Sequence, residues 1–359
     1  MRTNTKARYD VDEVLTTDEL NSFFASHSTQ TVLAIDKQVS DTTTFSTTSA
    51  LDIAHLRTAI EECRVIKDAH EIALIRRANH ISSLAHLDVF RAVATAKNER
   101  ELEAIFVSRC MSLGARNQAY SSILASGTDA ATLHYVRNNK AIEAGTLNLL
   151  IDAGGEYSCY AADITRTFPI NGKFSRESES IYRLVLRMQM ECYGMMRGGM
   201  LWEDVHAHAH RVAIDGLLKL GILYNGTPEE IFAARTSTVF FPHGLGHMLG
   251  LDTHDSGGHA DYSDPDPMFR YLRIRGKVPA GAVVTNEPGI YFCRFMVAPA
   301  MKEGSKHAKY IDKSVVEKYW AVGGVRIEDD VLITEEGYEN LTEAEKTVEG
   351  MEKLLQEGI

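Results

Sequence analysis

Apolar residues recur near a helical period in several stretches of the chain, which predicts a framework of amphipathic helices. The longest such pattern includes Ile75, Ile81 and Leu84, and it predicts a packing helix. A closing helix is predicted to begin at the capping-box residues Thr342 and Glu345. The predicted helices cover residues 67–97, 98–113, 176–198, 202–221 and 342–356.

Shorter apolar or alternating runs between these helices predict β-strands. The apolar run LNLLID (147–152) is typical of a buried strand, and ADITRTFPI (162–170) is expected to pair with it as a hairpin. The Ser- and Thr-rich tract 41–50 is predicted to be a loop or linker, and 294–320 a charged insertion. The predicted strands lie near residues 28–36, 120–125, 146–152, 162–170, 282–292 and 322–334.

The composition is that of an ordinary soluble globular protein, with 359 residues of which 44% are hydrophobic and 24% charged. This length indicates one large domain of about 250 residues plus an extra piece, or two domains. The net charge of −11 and the pI of about 5.7 argue against nucleic acid or an anionic membrane as the main partner.

The cysteines and the chain start bear on the compartment. Five scattered cysteines form no CxxC pair, which argues against a disulfide framework or a zinc ribbon. The N-terminus MRTNTKARYDVDEV lacks the apolar core of a signal peptide, and no apolar run is long enough to span a membrane. We therefore expect a cytoplasmic enzyme.

One imidazole and four carboxylates, each in a short segment that mixes glycine with β-forming residues, have the chemistry of a site for two divalent cations. Carboxylates can bridge two ions, and hard oxygen donors suit Mn²⁺, Co²⁺ or Zn²⁺ used for hydrolysis. Four negative ligands also offset the positive charge of two such ions. Taken alone, this set fits a phosphatase as well as a peptidase. The five residues are Asp152, Asp163, His247, Glu287 and Glu328.

The two aspartates illustrate why a metal is expected. Asp152 ends one predicted strand and Asp163 begins the strand that returns beside it, so a hairpin places both carboxylates in one cavity. Two unpaired carboxylates this close in a half-buried site would raise one pKa sharply. A bound cation removes that penalty, which favours metal binding over simple turn formation.

The segment HGLGHMLGLDTHD (243–255) carries His243, His247 and His254 among glycines that permit close backbone approach. Three histidines at this spacing are more typical of a functional site than of isolated core or surface positions. The segment differs from the HExxH helix of zinc proteases, because Gly follows His243 and no Glu is present to act as base.

The order Asp, Asp, His, Glu, Glu in these contexts resembles the pita-bread metallopeptidases, the family of aminopeptidase P, prolidase and methionine aminopeptidase. The likeness runs over roughly 63–340. Its motifs, among them DAGGEYSCYAADITRTFP, NEPGIYF and GGVRIEDDVLIT, are most similar to those of Xaa-Pro peptidases, and above all to fungal Xaa-Pro aminopeptidases. The resemblance implies an α+β pita-bread (creatinase/aminopeptidase-like) fold, with curved antiparallel sheets flanked by helices, and a catalytic domain over 61–359.

The resemblance also implies the cofactor. Carried over by position, Asp152, Asp163, His247, Glu287 and Glu328 match five ligands that hold two Mn²⁺ ions per subunit, with Co²⁺ or Zn²⁺ as alternatives. Asp163 and Glu328 match the two ligands that bridge both ions. The ions would activate water for attack on a peptide bond.

Further roles follow from the same likeness. Glu287 resembles a carboxylate that also works as general base and proton carrier, and His254 a histidine that contacts the scissile carbonyl and steadies the oxyanion. His134 and His243 match histidines that line the substrate pocket. Arg326 resembles an arginine that orders the site through hydrogen bonds.

Arg273 bears on substrate length. It matches an arginine that binds the free carboxylate of a dipeptide in prolidases, and a guanidinium fork suits that task. The neighbouring Arg270, Arg275 and Lys277 make the whole stretch basic. A solvated charged loop is therefore the alternative interpretation.

The expected activity is hydrolysis of the bond between an N-terminal residue and a penultimate proline, on peptide substrates with proline at the second position. An Xaa-Pro dipeptidase of the prolidase type is the alternative. A pita-bread binding module that has lost catalysis is the non-enzyme alternative, although all five ligands and His254 are present.

The chain departs from the family pattern in two places. Residues 1–60 resemble only the last part of the N-terminal domain of Xaa-Pro peptidases, so we expect a residual, truncated domain and a correspondingly weakened homodimer. Asn286 stands where relatives usually carry an apolar residue before Glu287. A buried Asn needs hydrogen-bond partners or costs roughly 1–3 kcal/mol.

Overall fold

The computed structural model describes residues 2–27, 30–35 and 50–357. The chain divides into two compact units, Met1–Arg64 and Val65–Ile359. No helix within the described ranges is long and apolar enough to cross a membrane.

The first unit is built from short elements. Of the strand predicted at 28–36, the described residues form only the two-residue β1, which pairs in parallel with β2. Residues 28–29 and 36, and positions 41–49 of the predicted loop, lie outside the described residues. The elements of this unit are α1 (Arg2–Arg8), a 3-10 turn (Thr17–Glu19), α2 (Leu20–Ser26), β1 (Val32–Leu33), β2 (Leu51–Asp52) and α3 (Leu56–Cys63).

The second unit carries most of the helices and strands. Its helices are α4 (Ala69–Ala92), α5 (Glu99–Ser112), α6 (Arg176–Tyr193), α7 (Trp202–Lys219), α8 (Pro228–Ala233), α9 (Arg294–Ala300), α10 (Lys313–Val316) and α11 (Val348–Glu357). Its 3-10 turns are Gly127–Ala131, Thr236–Val239, Ala308–Tyr310 and Trp320–Val322.

The strands of this unit are short. They are β3 (Asn117–Gln118), β4 (Ile123–Ser126), β5 (Asn148–Asp152), β6 (Gly155–Tyr157), β7 (Tyr160–Ala161), β8 (Thr165–Pro169), β9 (Met200–Leu201), β10 (Lys277–Val278), β11 (Val283–Asn286), β12 (Gly289–Tyr291), β13 (Gly324–Arg326), β14 (Asp329–Ile333) and β15 (Tyr338–Asn340).

The long predicted helix is confirmed as α4, with shorter ends than the pattern predicts. Its start is set by Asp68, whose side chain accepts hydrogen bonds from the amides of His70 (2.8 Å) and Glu71 (2.9 Å). The Glu71 carboxylate accepts one in return from the Asp68 amide at 2.8 Å. This capping box satisfies amides that the first helical turn leaves free. Along the helix, Ile75 and Ile81 are fully buried on the inner face.

The antiparallel sheet β4-β5-β8 confirms the predicted pairing of LNLLID with the strand that follows it. Asp152 stands opposite Ile123 on one side and Thr165 on the other. The connection is longer than a simple hairpin, because β6 and β7 intervene. They form a separate sheet in which β6 pairs with both β3 and β7.

A second group of strands completes the framework of the site. β11 pairs with β14, and β12 with β13, all antiparallel. A single bridge between Thr165 and Glu328 joins this group to the first sheet, and another joins Met248 to Val284. These contacts bring four sequence-distant segments together around one centre.

The start of the closing helix is a wrong prediction. The Thr342 hydroxyl donates to Asn79 Oδ1 (2.8 Å) and accepts from the Asp330 amide (3.0 Å), so it does not cap a helix. The carbonyl oxygens of Ala344 and Glu345 accept hydrogen bonds from the buried Arg166. These tertiary contacts hold the segment in an irregular conformation, and α11 begins only at Val348.

Candidate functional site

Two aspartates face each other at the end of β5 and just before β8. The hydroxyl of Tyr120 lies 2.6 Å from Asp152 Oδ1 and 2.6 Å from Asp163 Oδ1, and so links the two carboxylates. The Asp163 amide donates to Asp330 Oδ2 at 2.9 Å, which fixes the backbone at this position. Sequence reasoning missed Tyr120, since it lies outside every motif.

Two glutamates approach the aspartates from the second group of strands. Glu328 lies between β13 and β14, and its amide donates to the carbonyl oxygen of Thr165 at 3.0 Å. The Thr165 hydroxyl in turn donates to Glu328 Oε2 at 2.6 Å. Glu287 lies between β11 and β12, and its amide donates to the carbonyl oxygen of Leu245 at 2.8 Å.

His247 stands among these carboxylates. Its Nε2 lies 3.3 Å from Asp163 Oδ2, 3.7 Å from Glu287 Oε1 and 3.9 Å from Glu328 Oε1. Its Nδ1 donates to the carbonyl oxygen of Met248 at 3.0 Å, which leaves Nε2 free to act as a ligand in the neutral ring. Ligand atoms of Asp163, His247 and Glu328 all lie within 4.8 Å of one another.

The protein alone does not compensate the charge of this cluster. Burial raises the pKa of Asp152 to about 6 against the effect of Arg326, and it raises the pKa of Glu287 to about 7 against the effect of His247. Burial, with Asp163 and Glu287 nearby, holds the pKa of Glu328 well above its usual range. Carboxyls that resist ionisation together are those that divalent cations would stabilise in the charged form.

His247 responds in the opposite sense. Burial by itself would lower its pKa, but the hydrogen bond and charge of Asp163 outweigh burial and raise that pKa to about 9. A proton thus takes the place in which a cation would sit among the carboxylates. The oxygen-rich donor set with one imidazole fits hard or borderline divalent ions such as Mn²⁺, Co²⁺ or Zn²⁺.

Arg326 connects the aspartate side of the cluster to His243. Its guanidinium donates to Asp152 Oδ2, to the Thr165 hydroxyl at 3.1 Å and to the Tyr291 hydroxyl at 3.0 Å. The Tyr291 hydroxyl donates onward to His243 Nε2 at 2.8 Å, because His243 Nδ1 donates to the Gly244 carbonyl. One guanidinium, bonded to three side chains, therefore orients a carboxylate and an imidazole at once.

Two further histidines lie near the carboxylate cluster, and both have lowered pKa values. Burial, with Arg326 nearby, lowers the pKa of His243 to about 3, and burial, with His247 nearby, lowers that of His254 to about 4. The His254 ring is perpendicular to that of His247, with centroids 4.5 Å apart. The next residue, Asp255, forms a fully buried ion pair with Lys67 at 3.0 Å, which anchors the loop.

A cavity of about 530 Å³ opens above the cluster, a size typical of small-ligand sites. Arg273 reaches it and donates to the Tyr262 hydroxyl at 3.4 Å, whereas Arg275 pairs with Glu203 and Asp264 outside it. All ten residues singled out in the sequence line this cavity: His134, Asp152, Asp163, His243, His247, His254, Arg273, Glu287, Arg326 and Glu328.

The chain resembles known peptidases over most of its length. The model of metallopeptidase family M24 matches residues 73–335. The probable Xaa-Pro aminopeptidase pepP of Botryotinia fuckeliana is 58% identical over 351 residues, covering 98% of this chain and 76% of its own. The protein of the same name from Talaromyces stipitatus is 55% identical over 363 residues, which cover 98% of this chain and 77% of that protein. The chain thus spans about three quarters of the length of these relatives.

Solved structures agree with this comparison. Aminopeptidase PepP of Pseudomonas aeruginosa is 34% identical with a TM-score of 0.72, covering 90% of this chain and 66% of its own. Zn-substituted aminopeptidase P of E. coli in complex with product is 30% identical with a TM-score of 0.81. The match covers 100% of this chain and 78% of the E. coli chain. These matches confirm the predicted α+β pita-bread fold. The chain therefore belongs to metallopeptidase family M24.

Proposed function

We propose that this protein is a metal-dependent Xaa-Pro aminopeptidase that removes the N-terminal residue from peptides with proline at the second position. The observation that carries the proposal is the one cavity whose lining brings together the five proposed metal ligands, three further histidines and two arginines. The names of its relatives point the same way. Proline lacks the amide N–H that ordinary peptidases use, so its peptides call for a dedicated enzyme.

The proposed cofactor is a pair of Mn²⁺ ions, with Co²⁺ or Zn²⁺ as alternatives. They would be held by Asp152, Asp163, His247, Glu287 and Glu328. When bound, such ions polarise a carbonyl group and lower the pKa of water. The inward-facing Nε2 of His247 and the raised pKa values of the buried carboxyls support this assignment.

The remaining side chains supply proton transfer and orientation. Glu287 would also take up and return a proton during cleavage, the role that the family likeness gives to this carboxylate. His254 is neutral, so one ring N–H can donate to the carbonyl oxygen of the scissile bond. His134 and His243 would line the proline pocket, and Arg326 would keep Asp152 and Tyr291 in place.

The structural unit Val65–Ile359 contains every residue to which we assign a role, and we propose it as the catalytic domain. The peptide substrate is the proposed partner. The homodimer and the cytoplasmic location expected from the sequence stay predictions.

A dipeptidase activity of the prolidase type is the second candidate, and Arg273 favours it. Its guanidinium lines the cavity, where it could pair with the free α-carboxylate of the proline in an Xaa-Pro dipeptide. Comparing cleavage of Ala-Pro with that of Ala-Pro-Ala separates the two candidates. If Arg273 binds the dipeptide carboxylate, Arg273→Ala will slow cleavage of the dipeptide far more than that of the tripeptide.

The main proposal is tested with the purified full chain. We expect it to retain divalent metal and, with Mn²⁺, to cleave an Xaa-Pro-Yaa peptide only after the first residue. Chelation and Asp163→Asn should each abolish cleavage. Full activity in chelator would refute the metal-dependent mechanism, and a clean protein that retains no Mn, Co or Zn would favour the non-catalytic binding module.

A further inference from the structure

A fully buried glutamate lies outside the metal cluster and has no role in the mechanism above. Glu99, the first residue of α5, is 0% exposed. Its Oε1 accepts hydrogen bonds from the Ser126 amide (2.9 Å) and hydroxyl (2.7 Å). Its Oε2 accepts from the Tyr135 hydroxyl (2.9 Å) and the Lys140 amide (3.0 Å). Four donors therefore satisfy this carboxylate, and all four belong to the chain segment 126–140.

The segment 126–140 forms one wall of the substrate cavity. Ala131, Thr132, Leu133 and His134 line it. Beyond the 3-10 turn at its start, residues 132–140 form no helix or strand. Backbone without ladder hydrogen bonds depends on side chains for its conformation, and here Glu99 holds the beginning, the middle and the end of the wall.

The middle contact is next to a residue proposed to touch the substrate. Tyr135 directly follows His134, and its hydroxyl points to Glu99 while His134 faces the cavity. A shift of Tyr135 would therefore move His134 by a similar distance. Asn138 adds a separate support, since its side chain accepts from the Leu124 amide at 2.9 Å.

We propose that Glu99 is a positioning residue that sets the place of His134 and of the adjoining cavity wall, and so governs substrate binding. This inference rests on the proposed peptidase function. The metal ligands lie on other segments, so Glu99 acts on substrate affinity and leaves the metal cluster unaffected. Substrate and transition state contact the same wall, so its displacement changes KM more than kcat.

Three single variants of the full chain test the proposal. Glu99→Gln removes one acceptor oxygen and turns an NH₂ group toward a main-chain N–H, either that of Ser126 or that of Lys140. Tyr135→Phe removes only the middle contact and keeps the ring, so it remains informative if Glu99→Gln fails to fold. Glu103→Gln is the matched control, because Glu103 lies one turn along α5 and contacts the wall through Asn138 alone (2.9 Å).

The kinetic readout is the split between KM and kcat on an Xaa-Pro-Yaa peptide with Mn²⁺. We expect Glu99→Gln to raise KM about tenfold and Tyr135→Phe about threefold, as loss of one or more hydrogen bonds to a buried charge implies. The value of kcat and the bound metal should stay within about twofold, and Glu103→Gln should match the wild type. Unchanged KM in both test variants, or equal loss of kcat and metal, would overturn the proposal.

Hydrogen exchange measured by mass spectrometry gives a second readout that needs no substrate. We expect faster exchange confined to residues 126–140 in Glu99→Gln and Tyr135→Phe. In Glu103→Gln we expect exchange at the wild-type rate. Exchange identical to the wild type in that segment would refute the anchoring role. If the wild type cleaves no Xaa-Pro peptide, the proposed function fails, and the exchange data alone then decide whether Glu99 holds the wall.

Discussion

Gln189 and Asn286 each donate a side-chain hydrogen bond to the main-chain carbonyl of the other. Gln189 Nε2 lies 3.0 Å from the Asn286 oxygen, and Asn286 Nδ2 lies 3.2 Å from the Gln189 oxygen. The same Gln189 amide also donates to the carbonyl of Ile327 at 3.3 Å. The two carbonyls it holds directly precede Glu287 and Glu328, so α6 is tied to both of the glutamates proposed as ligands.

We therefore expect Gln189→Met, which conserves volume but removes both donors, to weaken metal binding. Loss of groups that orient ligands commonly costs about tenfold or more in metal affinity. The variant also loses the hydrogen bond that Gln189 Oε1 accepts from Lys346 Nζ at 2.9 Å, and together the lost bonds should lower the free energy of unfolding by about 1–3 kcal/mol. Calorimetric titration with Mn²⁺ and urea unfolding measure the two effects. Met190→Leu, at the exposed neighbouring position, is the control, and an unchanged Mn²⁺ affinity in Gln189→Met would contradict the argument.

Glu328→Gln should separate metal binding from fold stability. The pKa of Glu328 is held well above its usual range by burial and by Asp163, which disfavours the ionised carboxylate when no cation is bound. An uncharged amide of the same shape therefore replaces a carboxyl whose charge the metal-free site does not stabilise. In chelator we expect the melting temperature to stay within about 2 °C of the wild type, because little is lost there.

Added metal should reveal the difference between these two proteins. Wild-type protein gains stability from any ion that binds only the folded state, by about 2.7 kcal/mol at a hundred times the dissociation constant. Glu328→Gln should lose most of this gain, which a thermal scan with and without Mn²⁺ measures. A variant that melts far below the wild type in chelator would mean that Glu328 is ionised and paired without metal.

Arg326→Lys tests the need for a guanidinium at the centre of the site. Lysine keeps the charge but cannot donate to Asp152, Thr165 and Tyr291 together. We expect kcat to fall by about tenfold to a hundredfold with Mn²⁺ content retained, because His243 and Asp152 lose a shared support. Steady-state kinetics and elemental analysis check this, with Arg197→Lys at an exposed position as control. Retention of full kcat would show that charge alone suffices.

Local sequence patterns predicted those parts of the fold that local contacts determine. The α4 helix has its own cap at Asp68 and its own buried face, and the apolar run ending at Asp152 has the length and composition typical of a buried strand. Glycines or apolar neighbours in the local segment marked the five ligand candidates and the other two histidines of 243–255, His243 and His254. His134, Arg273 and Arg326 were found only through the resemblance to the pita-bread metallopeptidases. All ten site residues line one cavity, although their individual roles stay predictions.

Features that depend on distant partners were not predictable. Thr342 has the pattern of a helix cap, but its hydroxyl donates a hydrogen bond to Asn79, which lies 263 residues away in the sequence. Tyr120 and Gln189 carry no local signal, because one lies in a loop and the other within an amphipathic helix. Asn286 was expected to need partners, and its amide nitrogen finds one only once α6 packs against β11.

Buried neutral histidines should make the protein sensitive to acid, and His206 provides the clearest test. It is fully buried on α7, its Nε2 donates to the Met268 carbonyl at 2.8 Å, and its Nδ1 has no hydrogen-bond partner among the described residues. Burial lowers its pKa to about 4, whereas an unfolded histidine has a pKa of about 6.5. Between these values the unfolded state binds the extra proton, so stability falls as the pH falls.

His206→Gln removes this proton uptake. Between about pH 6.5 and pH 4 we expect the free energy of unfolding of the wild type to fall more steeply than that of the variant, by up to about 1.4 kcal/mol per pH unit. Above pH 7.5 the two curves should run parallel, since the histidine is neutral in both states. Urea unfolding across this range, in chelator so that no ligand titrates against metal, measures the difference. Parallel curves throughout would mean that His206 takes up its proton in the folded protein as readily as in the unfolded chain.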